Sequence, residues 1–169
     1  MNSTRRTMII LIAFSLIAVP MTAWAFSMKS TSIQKKTDGK TVYKYITQTE
    51  PYKKWALWPG KGEFYKGLQP HGAFLTTYVS KGALKTINKK TGSFPNGAIL
   101  VKENYTPKKE LDSVTVMYRI QDYNADAGDW FWAKYAPDGA VQAEGKVKGC
   151  INCHSIQKMN DWVYTGPIK

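Results

Sequence analysis

Apolar and polar residues alternate along much of the chain in short segments that are separated by turn-forming residues. Where the alternation includes β-branched and aromatic residues, it predicts strands over residues 73–79, 98–105, 111–121, 129–136 and 140–147. Helical spacing predicts helices over 49–58 and 80–90, and a final short helix or turn near residue 150. Because tight turns join consecutive strands, the pattern predicts a mainly β (α+β) fold. This fold is an antiparallel sheet of about five strands with short helices at its edges.

The N-terminal segment has the pattern of an export signal. Arg5 and Arg6 precede an apolar run over residues 8–19, which is short for a membrane span, and a small-x-small site ends at Ala25. We expect cleavage after Ala25, and a retained membrane anchor is the alternative. The expected division is a signal peptide over 1–25, an N-terminal arm over 26–44 and one folded domain over 45–169.

The chain is strongly basic, with 24 Lys and Arg against 12 Asp and Glu and a net charge of +12 at pH 7. Such a balance is typical of proteins that meet nucleic acid, an anionic membrane surface or an acidic protein. Export argues against nucleic acid, and the basic residues are scattered along the chain rather than gathered in one block. We therefore expect a soluble basic surface, with recognition of an acidic redox partner as the alternative.

The two cysteines of the chain lie in one motif, Cys150-Ile151-Asn152-Cys153-His154. In an exported chain the spacing C-x-x-C-H is typical of c-type haem attachment, in which each thiol joins a vinyl group and the histidine binds iron. A redox dithiol should open the helix of a βαβ unit, which the pattern lacks. A structural zinc site would have to use both cysteines, His154 and His71, and a plain disulfide is the remaining alternative. The motif predicts one covalent haem c, with its iron, per chain.

Several segments resemble, in the same order, the cytochrome P-460 family and its relative cytochrome c-prime-beta, over roughly residues 45–165. They are Pro70-His71-Gly72-Ala73-Phe74, Tyr78-Val79, Phe94-Pro95-Asn96-Gly97-Ala98, Val101-Lys102-Glu103-Asn104-Tyr105, Val114-Thr115-Val116-Met117-Tyr118, Gly128-Asp129-Trp130-Phe131-Trp132-Ala133-Lys134-Tyr135, the cysteine motif and Asp161-Trp162-Val163. The resemblance implies a small, mainly β, periplasmic protein with one haem, usually a homodimer. It also implies that His154 is the sole axial ligand and that the opposite face of the iron is open.

Two activities occur in that family, and a lysine separates them. Cytochrome P-460 oxidises hydroxylamine and carries a covalent bond from a lysine side chain to a porphyrin carbon. Cytochrome c-prime-beta lacks this bond, has phenylalanines over the iron and binds nitric oxide. Lys102 matches the linking lysine, and strand alternation places it on the same face as Ala98 and Leu100. The alternative is a lysine whose stem packs on apolar neighbours while its ammonium reaches water.

The resemblance also suggests further pocket residues. Phe64 and Phe94 are candidates for the distal cap, with ordinary core packing as the alternative. Glu144 is the candidate for a carboxylate that relays protons, with a solvated position on a hairpin as the alternative.

A sixth iron ligand is a separate possibility. His71 would give bis-histidine coordination, and Met117 or Met159 a His/Met pair, but the family pattern has neither. The sequence thus predicts a periplasmic mono-haem c-type cytochrome that oxidises hydroxylamine and passes electrons to an external acceptor protein. A nitric-oxide-binding cytochrome or a simple electron carrier is the alternative.

Overall fold

The computed structural model describes residues 37–169, and the predicted signal peptide lies outside the described residues. The fold is an open antiparallel sheet in the order β1-β3-β4-β5-β6-β7, with β2 pairing on the same edge of β3 as β1. The strands are β1 Ala56–Leu57, β2 Tyr65–Lys66, β3 Phe74–Val79, β4 Ile99–Tyr105, β5 Leu111–Arg119, β6 Trp130–Tyr135 and β7 Val141–Gly145. The five predicted strands correspond to β3–β7, so the predicted fold class is confirmed.

Short helices lie at the edges of this sheet. The α-helices are α1 Gly39–Lys44, α2 Lys81–Lys89 and α3 Lys148–His154. A π-helical turn over Tyr45–Thr49 continues α1, and 3-10 turns occupy Tyr52–Lys54, Ala125–Ala127 and Ser155–Asn160. Among residues 37–169, every helix is too short or too polar to cross a bilayer.

The prediction of a helix over residues 49–58 is wrong. The π-helical turn ends at Thr49, and Glu50 takes φ −129° and ψ 78°, because a residue that precedes a proline is driven out of the helical region. After Pro51 only the 3-10 turn Tyr52–Lys54 forms, and the chain then becomes extended and pairs with β3.

The end of the predicted arm is part of the folded domain. Asp38 is the N-cap of α1, and its carboxylate accepts a hydrogen bond of 2.7 Å from the Thr41 N–H. Val42 of α1 is buried in the core. Residues 39–44 therefore pack on the sheet.

The sheet separates two apolar cores, because alternate residues of each strand point to opposite faces. In β6, Phe131 and Tyr135 belong to the first core, which α1 covers. Trp130 and Trp132 belong to the second core, which also contains residues of α2 and the C-terminal segment. Since α3 and the cysteine motif follow β7 onto the second face, the functional cavity lies there, beside the second core.

The C-terminal segment is attached to this second face by Asp161. Its carboxylate forms an ion pair with Arg119 (Nη1–Oδ1 2.6 Å) and accepts a 2.7 Å hydrogen bond from the Phe94 N–H. The Trp130 indole N–H donates to the Asp161 carbonyl at 3.1 Å. Asp161 thus joins the loop before β4, the end of β5 and the start of β6 to the segment that follows α3.

We predict that Asp161→Asn lowers the free energy of unfolding by about 2 kcal/mol, because the half-buried Arg119 loses its charged partner. Urea unfolding followed by tryptophan fluorescence measures the change. Asp126→Asn, which removes the same charge at an exposed position, is the control and should change stability little. Equal effects of the two substitutions would contradict this role for Asp161.

Candidate functional site

Two adjoining cavities of about 260 and 300 Å³ lie between the second face of the sheet and the segment that contains α3. The first cavity extends over the sheet, where Leu100, Met117 and Trp132 form its apolar wall. The second opens toward the loop around β2 and the C-terminal segment. Five residues line both cavities: Pro70, His71, Lys102, Cys153 and His154. These shared residues include three that the sequence analysis proposed for the haem site.

Both cysteines project from α3 toward the cavities as free thiols. They are three residues apart, so they lie on one side of the helix. Cys150 is half-buried, and burial raises the pKa of its thiol, whereas Cys153 is exposed. The helix therefore presents two thiols and, one residue later, an imidazole to the same space.

His154 is buried, with 6% of its surface exposed. Its Nδ1–H donates a 2.6 Å hydrogen bond to the Trp162 carbonyl, since a carbonyl oxygen can only accept. That bond fixes the tautomer and leaves the Nε2 lone pair free to bind a metal. Burial also lowers the pKa of His154, and the nearby Lys102 acts in the same direction, so the imidazole is neutral.

Three aromatic rings surround the imidazole of His154. The ring centroids of Trp132, Tyr164 and His71 lie 4.6, 5.2 and 6.1 Å from it, all in edge-to-face geometry. These contacts and the bond to Trp162 leave the ring little freedom to rotate. The imidazole is thus pre-positioned by the protein alone.

Lys102 lies in the middle of β4, half-buried, and lines both cavities. Desolvation by burial lowers the pKa of its ammonium to about 8, because few neighbours replace the water that a charged group requires. A substantial fraction of the side chain is therefore a neutral amine near pH 8. This is the form in which a lysine acts as a nucleophile.

His71, considered above as a sixth iron ligand, lines both cavities as well. The Asn104 amide donates to the Ser113 carbonyl, so its Oδ1 accepts from the His71 Nδ1–H at 3.1 Å. Burial, with Lys102 next in importance, lowers the pKa of His71 to about 4. His71 is accordingly neutral, with its Nε2 unprotonated.

The structure does not bring Phe64, Phe94 or Glu144 to either cavity. Phe64 packs against Tyr105 at the far end of β4, with ring centroids 4.7 Å apart. Phe94 is buried in the second core against Trp130, with centroids 5.6 Å apart.

Glu144 lies on the opposite face of the sheet. It pairs with Ala133 of β6, a first-core residue, and its exposed carboxylate accepts a hydrogen bond from the Gly39 N–H at the start of α1. This placement gives Glu144 a structural contact with α1 rather than a position near the cavity.

The sequence-based site did not include several residues that line the cavities, among them Trp132, Lys134, Asn104 and Tyr164. Asn104 is two residues after Lys102 on β4, so strand alternation could have placed it on the cavity face. The position of Tyr164 depends on how the chain folds back after α3, which alternation does not indicate. Of the two methionines considered as ligands, Met117 lines the first cavity and Met159 is exposed. Within residues 37–169, His, Cys, Asp and Glu side chains form no group of three that could hold a metal ion.

A family model described as Cytochrome P460 matches residues 49–165, which is most of the chain and includes Lys102 and the whole cysteine motif. No curated protein sequence matches the chain. The family implies a haem cofactor, and the cavity residues can be compared with what a haem requires.

The cavities suit a haem in three respects. A haem has a flat apolar ring, and Leu100, Met117 and Trp132 provide an apolar wall. It carries anionic propionates, and Lys102 and Lys134 are the charged residues that line the first cavity, with no carboxylate among its described lining. The Trp132 Nε1–H is buried and has no hydrogen-bond partner in the described part of the chain. Such an unpaired group costs about 1–3 kcal/mol unless a molecule bound in the cavity supplies a hydrogen-bond acceptor.

We predict that Lys102 titrates near pH 8 in the haem-free protein. Since the folded state binds this proton more weakly than the unfolded state, the free energy of unfolding should increase as the pH rises from about 8 toward 10.5, the ordinary pKa of a lysine. The ¹³Cε resonance of ¹³C-lysine-labelled protein reports the titration directly. The resonance should vanish in Lys102→Arg and persist in Lys134→Arg, and a Lys102 resonance that shows no change below pH 10 would contradict the prediction.

Proposed function

The chain belongs to the cytochrome P460 family, and we propose that it is a periplasmic mono-haem c-type cytochrome that oxidises hydroxylamine at an open haem iron. The observation that carries the proposal is the convergence of two thiols, a free imidazole Nε2 and a deprotonatable lysine on one pair of cavities. Export, which the N-terminal pattern of the sequence predicts, is consistent with covalent haem attachment outside the cytoplasm.

The roles divide among four side chains. Cys150 and Cys153 would hold the haem by thioether bonds, and the Nε2 of His154 would bind the iron. A haem bound in this way supplies an iron site for the substrate nitrogen and accepts its electrons. Lys102 is the residue we propose for a bond between its side-chain nitrogen and a porphyrin carbon.

Nitric oxide binding is the second candidate, and the position of Glu144 favours it. Hydroxylamine oxidation releases protons, yet no carboxylate lies among the described residues that line the cavities. His71 is unprotonated but has a pKa of about 4, which makes it a weak base. A gas ligand needs no proton acceptor, so this lining suits nitric oxide as well as hydroxylamine.

The remaining parts of the proposal follow from the resemblance and the charge. The protein would pass electrons to an external redox protein and would form a homodimer, as the family resemblance implies. Its small ligand would be hydroxylamine or nitric oxide, and its basic surface favours an acidic redox partner.

We predict that the haem is covalently attached. Holoprotein denatured in detergent and extracted with acidic acetone should keep its haem, which a peroxidase stain on a gel detects. Cys150→Ala and Cys153→Ala should each retain one thioether bond, and the double variant should lose its haem on extraction. Full loss of haem from the unmodified protein would overturn covalent attachment.

A separate prediction distinguishes the two candidate functions through Lys102. If Lys102 is bonded to the porphyrin, proteolysis should yield its peptide joined through the haem to the Cys150–Cys153 peptide, as mass spectrometry can show. Lys102→Arg should then give an ordinary c-type spectrum and lose hydroxylamine turnover, while nitric oxide binding persists. Lys134→Arg is the matched control. Recovery of the Lys102 peptide free and in full yield would favour the nitric-oxide-binding function.

A further inference from the structure

The exposed large apolar residues of the described chain are Leu68, Ile156, Met159 and Tyr164, with exposed fractions of 80%, 77%, 77% and 44%. Leu68 and Tyr164 line the second cavity, and Ile156 and Met159 lie in the 3-10 turn directly after His154. Exposed apolar residues that gather in one region mark interaction sites. Leu68 and Tyr164 share the lining of the second cavity with Lys61 and Lys66, and we call these four residues the Tyr164 surface.

The charge of this surface has one sign. Lys61, Lys66 and Lys102 line the second cavity, and no carboxylate does so among the described residues. From Gly145 to Asn160 the sequence contains Lys146, Lys148 and Lys158 and no acidic residue. Glu63 is close in sequence to Lys61, but it does not line the cavity and acts electrostatically on Tyr78.

Tyr164 links this surface to the candidate iron ligand. Its ring centroid lies 5.2 Å from that of His154, and its hydroxyl donates a 2.9 Å hydrogen bond to the Cys153 carbonyl. The ring is therefore held against the imidazole while nearly half of its surface remains open to solvent. Tyr164 is therefore a member of the surface that also contacts the cysteine motif.

We propose that the Tyr164 surface is the docking site of an acidic one-electron carrier protein, which receives electrons from the haem across Tyr164. This inference rests on the proposed haem-bearing function and identifies its electron exit. In each encounter the haem iron loses one electron and the metal or flavin of the carrier gains it, with no bond made or broken. Exposed apolar residues next to lysines suit a partner that carries an apolar patch and carboxylates.

Two other occupants fit less well. A second copy of this chain would bring lysines against lysines, since the net charge is +12. An anionic membrane would also attract the lysines, but a membrane surface accepts no electron, so the contact between Tyr164 and His154 would have no role in binding it. Membrane binding is therefore an outcome that the experiment must separate from protein docking.

The test uses holoprotein that has been reduced with dithionite, freed of reductant and mixed by stopped flow with an acidic plastocyanin as the electron acceptor. The second-order rate should fall as salt is added, and Lys61→Glu/Lys66→Glu should lower it about tenfold at low ionic strength. The matched control is Lys85→Glu/Lys108→Glu, which changes the charge equally at exposed positions outside both cavities and should lower the rate less than about twofold. Tyr164→Leu should also slow the reaction, whereas Tyr164→Phe, which keeps the ring, should restore it.

A parallel measurement oxidises the same reduced proteins with the cation tris(phenanthroline)cobalt(III). The Lys61→Glu/Lys66→Glu protein should react with this oxidant at least as fast as the unmodified protein, which shows that its haem remains competent. Equal slowing by the two double substitutions with plastocyanin would overturn the proposal. It would also be overturned if vesicles of phosphatidylserine and phosphatidylcholine bound the protein through Lys61 and Lys66 while the plastocyanin rate was unaffected. Because no hydroxylamine is used, failure of the enzymatic proposal would leave this result interpretable.

Discussion

The site depends on one hydrogen bond, from the His154 Nδ1–H to the Trp162 carbonyl. It selects the tautomer, orients the ring and leaves Nε2 as the free nitrogen. The carbonyl is available because Asp161 and Trp162 both have left-handed backbones, with φ of 50° and 69°. Such a conformation costs about 1–2 kcal/mol per residue outside glycine, and the contacts of Asp161 with Arg119 and Phe94 offset that cost. Packing of the second core thus determines the geometry of the candidate iron ligand.

The second constraint on the site is the direction in which the side chains of β4 point. Lys102 points to the cavities, and its neighbour Glu103 points to the first core, where it is almost fully buried. The Glu103 carboxylate accepts hydrogen bonds from the Tyr52 and Tyr105 hydroxyls and pairs with the Lys53 ammonium. A register shift of one residue would place a lysine in that apolar face and break all three contacts. Glu103 therefore helps to keep the Lys102 amine in the site.

Sequence patterns predicted the features of the fold and of the site that depend on residues close together in the sequence. Alternation identified the five main strands and placed Lys102 on the same face as Leu100, and both residues line the first cavity. The close spacing of Cys150, Cys153 and His154 placed these side chains together on one short helix. In these cases neighbours in the sequence are also neighbours in space.

What the sequence could not supply depends on long-range pairing. The face of Glu144 follows from its pairing with Ala133, which no local pattern specifies. Phe94 is buried because the C-terminal segment returns to bind its backbone through Asp161. His71 reaches the cavities through its bond to Asn104 on β4, 33 residues later. In each case a contact between distant segments decides whether an ordinary residue belongs to the site.

We propose that the Nε2 of His154, and no other protein nitrogen, binds the haem iron. The resonance Raman spectrum of the reduced holoprotein tests this through the iron–imidazole stretching band. The band should be present in the unmodified protein and in His71→Ala, disappear in His154→Gly and return, shifted, when free imidazole is added to that variant. A band that survives His154→Gly and disappears in His71→Ala would contradict the account.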